Sequence, residues 1–323
     1  MNALVIGGTG PSGPHIVNGL IGRGYDVTVL HGGQHEAEFL QPVEHIHADP
    51  HFVETLEQGL RGRAFDVTVA TYGRIRLVVD ALKGKTQRLI TVSGSMVYAR
   101  RNDPRWGTLG APMTVPEDSP LSDDPNGPRL AYMIWVTEQA VLQAHREGHY
   151  NATIFRYPGI YGPGAPANPE WSIVRRVLDS RKRIIVSSGR GLGRRAFGQN
   201  AAHAVLLGID KPEESGGQIY NVGEEGHHSQ RQVVEFIGKL LHHDWELVEM
   251  PADLANRAYR GGGAQGGGGF DLDITKIRSH LGYHDVVSSA EALTRSAEWL
   301  LANRPELGGE IERQLGDPFA YEA

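Results

Sequence analysis

Glycines at positions 7, 10 and 13 punctuate the run Gly7-Gly8-Thr9-Gly10-Pro11-Ser12-Gly13, which follows the apolar stretch Ala3-Leu4-Val5-Ile6. Strand, glycine turn and helix in that order make an anion site. The glycines permit a tight turn, let the backbone approach a pyrophosphate and draw helix against strand, while the helix N-terminus adds N–H donors and positive potential. Gly7, Thr9, Gly10, Pro11, Ser12 and Gly13 are therefore candidate contacts to a dinucleotide. Pro11 has no N–H, so the turn lacks one donor that the Ser12 hydroxyl is able to replace. A structural glycine turn without ligand is the alternative.

The next informative position closes the second strand. An acidic residue there would bond the ribose hydroxyls of NAD, and a basic one would favour the phosphate of NADP. The chain has His31, followed by Gly32 and Gly33. The missing carboxylate leans toward NADP, with a solvated loop histidine as the other reading. Asp49, past the third strand, reads either as a polar contact to adenine or as a turn residue before Pro50.

The 15 histidines form no metal signature. His45 and His47 would share a strand face ahead of Asp49 and His51, and His227-His228 and His242-His243 are adjacent pairs, but metal ligation needs convergence and no metal is expected. Arg194 with Arg195, and Arg175 with Arg176, are either contacts for an anionic substrate or solvated surface arginines. No nucleophile elbow or Walker loop is present.

The elements that must position these residues alternate. Short apolar runs at 3–6, 26–30, 43–48, 66–70, 88–93 and 152–156 predict strands, separated by segments of helical period. Ile16, Val17, Leu20 and Ile21 mark a helix that Gly22 and Gly24 end, closing a βαβ unit. A longer helix is predicted over 128–147, with Pro128 at its start and Gly148 past its end. The pattern predicts an α/β fold: a Rossmann-type, doubly wound parallel sheet over residues 1–165, with later segments near 195–225 returning to it. Residues 166–323 then form mainly a smaller substrate-binding lobe. The glycines of 261–269 read as a flexible surface connection or as a lid that orders on ligand binding.

With 323 residues, 32 basic against 38 acidic side chains and a formal net charge of -6, the composition argues against electrostatic capture of nucleic acid or anionic membrane. Absence of cysteine excludes disulfides, thiolate metal sites and cysteine nucleophiles. No apolar run reaches the roughly 18 residues of a membrane span, and a cytoplasmic protein is expected.

The glycine run resembles that of the extended short-chain dehydrogenase/reductases, the NAD-dependent epimerase/dehydratase group, and the resemblance continues along roughly residues 1–300. Leu89-Ile90-Thr91-Val92-Ser93-Gly94-Ser95-Met96-Val97-Tyr98 is similar to that family's fifth strand and serine-containing segment. Phe155-Arg156-Tyr157-Pro158-Gly159-Ile160-Tyr161-Gly162-Pro163-Gly164 is similar to the segment after its sixth strand. Residues 217–223 and 273–282 resemble its C-terminal signatures. The resemblance implies NAD or NADP as cofactor, with Thr71, Pro158 and Ile160 joining the cofactor-binding set. It further implies a carbonyl, alcohol or sugar-nucleotide substrate, and a homodimer formed through helices of the dinucleotide domain.

It also implies a catalytic set: a Tyr as general acid/base, a Lys four residues later that lowers its pKa, and a Ser or Thr that orients the substrate oxygen. Such a cation matters because a phenol, with a pKa of about 10, is a poor base near neutrality. Tyr132 matches the tyrosine, but position 136 is Val. The serine slot falls on Gly94, between Ser93 and Ser95. Tyr132, Ser93 and Ser95 are the candidate catalytic residues of an incomplete site, with Arg156 or Arg129 as substitute cations. Two readings stay open: an NAD(P)-dependent oxidoreductase, epimerase or dehydratase, and a non-catalytic NAD(P)-binding sensor or partner-binding protein.

Overall fold

Leu4, Val5 and Ile6 are wholly buried, as a strand covered on both faces requires. They belong to β1 (Asn2–Ile6), an interior strand of a seven-stranded sheet in a computed structural model that describes residues 1–33, 36–100, 103–106, 114–187, 193–226, 228–251, 254–255, 271–317 and 319. On one side β1 pairs in parallel with β2 (Asp26–His31), which pairs with β3 (Glu44–His47). On the other it pairs with β4 (Phe65–Ala70), then β5 (Thr86–Gly94), Asn151–Tyr157 and the edge strand Ile219–Asn221, all parallel.

The order reverses between β1 and β4, so the chain leaves both strands at a crevice outside their carboxyl ends. Gly7 N–H still bonds Leu30 O at 3.0 Å and Thr71 N–H bonds Ile6 O at 2.9 Å, which holds both turns to the sheet edge. Three helices, α1 (Gly13–Ile21), α2 (Val53–Gly59) and α3 (Ile75–Ala81), follow β1, β3 and β4. Helix α4 (Arg129–Arg146) buries Ala131, Glu138, Val141 and Ala144, one face at helical spacing. Gly148 follows its end at φ +76°, a left-handed position that suits glycine.

The chain divides into two compact units. The first comprises Met1–Pro158, Gln199–Gly223 and Leu272–His284, and holds the seven-stranded sheet. Residues 272–284 return to this unit from within the stretch expected to be mainly the smaller lobe: helix Thr275–Leu281 packs beside Ile219–Asn221, where Lys276 Nζ donates to Ile219 O at 2.9 Å. The second comprises Gly159–Gly198, Glu224–Asp271 and Asp285–Ala323, with a core of Trp171, Val174, Ile184, Phe197, Val234 and Leu300. In it Arg195–Phe197 pairs with Gly159–Tyr161, and Glu246–Met250 with Arg183–Ser187. The glycine-rich 261–269 segment lies outside the described residues, as does His227. Among the described residues no helix is long and apolar enough to cross a membrane.

Within the second unit Glu224 is 2% exposed and accepts from Tyr161 Oη at 2.8 Å and from Phe197 N–H at 3.0 Å. Burial pushes its pKa up to about 7, against the pull of those donors and of Arg195. A carboxyl whose folded pKa exceeds its unfolded value stabilises below the unfolded value and loses that contribution as pH rises through the folded one. Glu224→Gln keeps an oxygen for both donors. Its melting temperature should therefore exceed that of the parent at pH 8, by the equivalent of ~2–3 kcal/mol, and converge on it near pH 5. Parallel pH-dependent melts of the two proteins check this.

Candidate active site

The glycine turn is built by close packing. A Cβ on Gly7, whose φ is +109°, would run into the Thr71 side chain, and one on Gly13 into the Gly8 backbone. On Gly10 it would meet nothing within 4 Å. Two glycines thus bring β1, α1 and the turn after β4 together, while the third faces open space, as a turn that cradles a pyrophosphate needs. Thr71 Oγ1 donates to Ile6 O at 3.2 Å, and Thr9 Oγ1 to Gly7 O at 3.1 Å. Ser12, offered by the sequence as a substitute donor for Pro11, is buried at 6% exposure.

Asp49 accepts from the His51 N–H at 2.9 Å and its ring Nδ1 at 2.8 Å, the geometry of a turn-forming aspartate. These hydrogen bonds hold its carboxyl below the usual range. His31 is 4% exposed, and its Nε2 lies 2.8 Å from His45 Nδ1. Burial lowers its pKa, against the pull of Glu36. Glu36 itself, which the sequence reading passed over, sits with Oε2 3.8 Å from that ring. The expectation that these histidines do not converge is corrected by the β2 and β3 register: ligand atoms of His31, His45, His47 and Glu36 all lie within 4.8 Å of one another.

An open cavity of about 720 Å³ lies against the carboxyl ends of β4 and β5 and the first turns of α4, lined in part by Thr71, Arg74, Ser93, Gly94, Arg129 and Glu138. Ser93 donates to Glu138 Oε1 at 2.6 Å. Glu138 also receives Arg156 in a bidentate pair, Nε to Oε1 at 3.0 Å and Nη2 to Oε2 at 2.8 Å, with both side chains 1% exposed. The remaining Arg156 nitrogen, Nη1, reaches Tyr98 Oη at 3.0 Å and Glu117 O at 2.9 Å. Tyr98 Oη donates to Asn221 Oδ1 at 2.6 Å, and Asn221 N–H to Glu117 Oε1 at 2.8 Å. Burial raises the Tyr98 phenol to about 12, and burial also raises the Glu117 carboxyl. Burial works against the charge of Arg156, and its hydrogen bonds to Glu138 more than restore it.

Arg156 is thereby committed to Glu138, and the suggestion that it replaces the missing lysine is not what the structure builds. Tyr132 is half-buried, and its ring stacks on Trp135 at 5.7 Å. It shares a stripe with Val136, while Met133, Ile134, Thr137 and Glu138 face the cavity. Ser95, half-buried in the short turn after β5, accepts through its carbonyl from Tyr98 N–H at 3.3 Å. Pro158 is buried at the end of its strand in the first unit; Ile160, half-buried, lies in the strand Gly159–Tyr161 of the second. Glu138 escaped the sequence reading, although a lone carboxylate on the stripe of Ala131, Val141 and Ala144 was its signal.

Both arginine pairs of the second unit are internally neutralised, which corrects their reading as solvated or substrate-facing. Arg175 bonds Asp179 and Glu312, Arg176 bonds Asp317, Arg194 bonds Asp271, and Arg195 bonds Glu170 at 2.5 Å with its guanidinium 4.0 Å above the Tyr161 ring.

Residues 3–223 match the model of the NAD dependent epimerase/dehydratase family, and the chain belongs to that family. It is 24% identical to a UDP-N-acetyl-alpha-D-glucosaminuronate decarboxylase of Bacillus cytotoxicus, over 92% of this chain and 96% of that protein. It is 23% identical to a dTDP-glucose 4,6-dehydratase of Streptomyces niveus, over 81% of this chain and 70% of that one. In fold it is similar to the UDP-glucose 4-epimerase of Thermotoga maritima, solved with UDP-glucose, at a TM-score of 0.72 and 20% identity over 94% of this chain and 99% of that one. A dTDP-glucose 4,6-dehydratase of Streptomyces venezuelae, solved with NAD, gives a TM-score of 0.70 at 21% identity over 94% and 98%.

Two substitutions separate packing from ligand contact in the glycine turn. Gly13→Ala should lower the melting temperature sharply, because β1 and α1 must part, whereas Gly10→Ala should melt like the parent and lose dinucleotide affinity in a calorimetric titration. Glu138→Ala leaves the Arg156 guanidinium buried without its counter-ion and should cost ~3–5 kcal/mol in a denaturant titration, with Glu138→Gln costing less.

Proposed function

We propose that the protein is an enzyme that binds NAD through residues 7–13 and acts on a nucleotide-linked sugar. The observation that carries the reading is the glycine turn: Gly7 and Gly13 admit no side chain, Gly10 opens onto free space, and the turn stands at the point where strand order reverses. The sugar-nucleotide class rests on the named relatives, the decarboxylase and the dehydratases among them. The lean toward NADP rested on the missing carboxylate after β2; Glu36 brings one beside His31, where it opposes a ribose phosphate, so NAD is the cofactor proposed.

Gly7, Gly10 and Gly13 would hold the pyrophosphate, with Thr71 beside the turn. Bound NAD supplies a reversible hydride acceptor. Tyr132 is the residue proposed to hold and return the proton of a substrate hydroxyl. With Val136 four residues on, it does so without a lysine, which demands more of its surroundings than the family's usual arrangement. Ser93 spends its proton on Glu138, so it can only accept from a substrate hydroxyl, orienting it through its free lone pairs. The slot of the family's serine is not closed by packing: a Cβ on Gly94 would meet Ile134 Cδ1 at an ordinary 3.7 Å.

Val136, together with the commitment of Arg156 to Glu138, favours a second reading in which the chain binds NAD without turnover. Titration with NAD, NADH, NADP and NADPH, followed by turnover assays on UDP- and dTDP-hexoses, separates the two. The enzyme reading expects NAD binding, product formation, and a loss of ~10²-fold or more in kcat for Tyr132→Phe with NAD affinity unchanged. NAD binding with no product from the parent or from the double variant Gly94→Ser, Val136→Lys leaves the binding protein as the function.

A further inference from the structure

Three histidines stand side by side where β2 and β3 end. The parallel register pairs Val29 with His45 and His31 with His47, and the alternation of a strand puts residues 31, 45 and 47 on one sheet face. Their rings lie close: 5.1 Å between the centroids of His31 and His45, 5.0 Å between His31 and His47, and 6.3 Å between His45 and His47. Glu36 lies over them from the loop after β2. Its Oε2 is 3.8 Å from His31 Nε2 and 3.6 Å from His45 Nδ1, and its Oε1 is 3.7 Å from His47 Nε2.

We propose that His31, His45, His47 and Glu36 form a binding site for a divalent transition-metal ion of the zinc type. Three imidazoles and one carboxylate are a ligand set that suits zinc, and two Zn–N bonds of about 2.0–2.1 Å at a tetrahedral angle place their nitrogens about 3.3 Å apart. The separations here bracket that value, and all four ligand atoms fall within 4.8 Å. His31 and His45, whose nitrogens stand 2.8 Å apart, part by about half an ångström to share an ion. Such a contact between two ring nitrogens requires one of them to carry a proton, and a cation between them replaces that proton.

One contact must be given up. Gly33 N–H lies 3.2 Å from His31 Nδ1, which then accepts and leaves the ring proton on Nε2. Ligation through Nε2 moves that proton to Nδ1 and turns the Gly33 peptide away. Gly33, at φ +74° and next to Gly32, is a peptide able to turn at small cost. Burial of His31 anchors one ligand within the sheet, while His47 and Glu36, with side chains 64% and 61% exposed, leave an entry path from solvent. Glu36 also carries the choice of NAD over NADP, but the test reads metal binding without dinucleotide, so its failure and that of the proposed activity are distinguishable.

Tag-free protein, stripped with chelator, is titrated with Zn²⁺ by calorimetry and with Co²⁺ by visible absorption. The expected result is one ion per chain with the visible bands of four-coordinate Co²⁺; the chain has no cysteine, so thiolate bands play no part. Loss of partners outside the ligand set already costs about 10–100-fold in other metal sites, so His47→Ala, at an exposed position, and Glu36→Gln should each weaken Zn²⁺ by at least ~10-fold. Both variants should melt like the parent in the absence of metal. Failure of the parent to bind a stoichiometric ion overturns the proposal. So does unchanged affinity in the His45→Ala, His47→Ala double variant, which would place the ion on other histidines.

Discussion

The first unit is organised around one buried ion pair, Arg156 with Glu138. Desolvating a guanidinium and a carboxylate costs several kcal/mol for each, and the cost is recovered only when every remaining donor and acceptor finds a partner. This requirement recruits distant segments: Ser93 from β5, Tyr98, the Glu117 carbonyl and, through Tyr98, Asn221 from the edge strand. Sheet, helix α4 and the returning segment near residue 221 are therefore fastened to one another by polar contacts as well as by apolar packing. The pair also shapes the chemistry beside it. It takes the Ser93 proton and commits the Arg156 guanidinium, so that arginine does not repair the departure from lysine at 136.

A second constraint acts at the same carboxyl end of the sheet. All seven are parallel, so their carboxyl ends open along one edge, and the reversal of order between β1 and β4 leaves a crevice there. The glycine turn and Thr71 flank that crevice because β1 and β4 are neighbours, not because they are near in sequence. Glycine is required at 7 and 13 by contact with Thr71 and Gly8, and at 10 it leaves space where a ligand would lie. Three glycines of equal appearance in the sequence thus do two different jobs.

In the second unit charge is used mainly for internal architecture. Arg175, Arg176, Arg194 and Arg195 each face a carboxylate, and Glu224 is held by Tyr161 and by the backbone of Phe197. Arginine pairs look alike in a sequence whether they await an anion or already hold one, because their counter-ions come from residues up to 141 positions away.

Local chemistry determined the strands near 3–6, 26–30, 43–48, 66–70, 88–93 and 152–156, the long helix, and the glycine turn, since each depends on side-chain period and on capping or turn residues within a few positions. It also showed the departure at Val136, which is a matter of residue identity alone. A return near 195–225 was expected, but the pairing of Ile219–Asn221 at the sheet edge and the return of 272–284 were beyond its reach: short segments declare their sheet only by pairing. The same holds for the partner of Arg156, the burial of Ser12, and the meeting of His31, His45 and His47 under Glu36. Spacing along the chain places a residue on a face. Which faces meet is decided by strand register and by the need of each buried charge for a counter-charge, and both are properties of the folded chain.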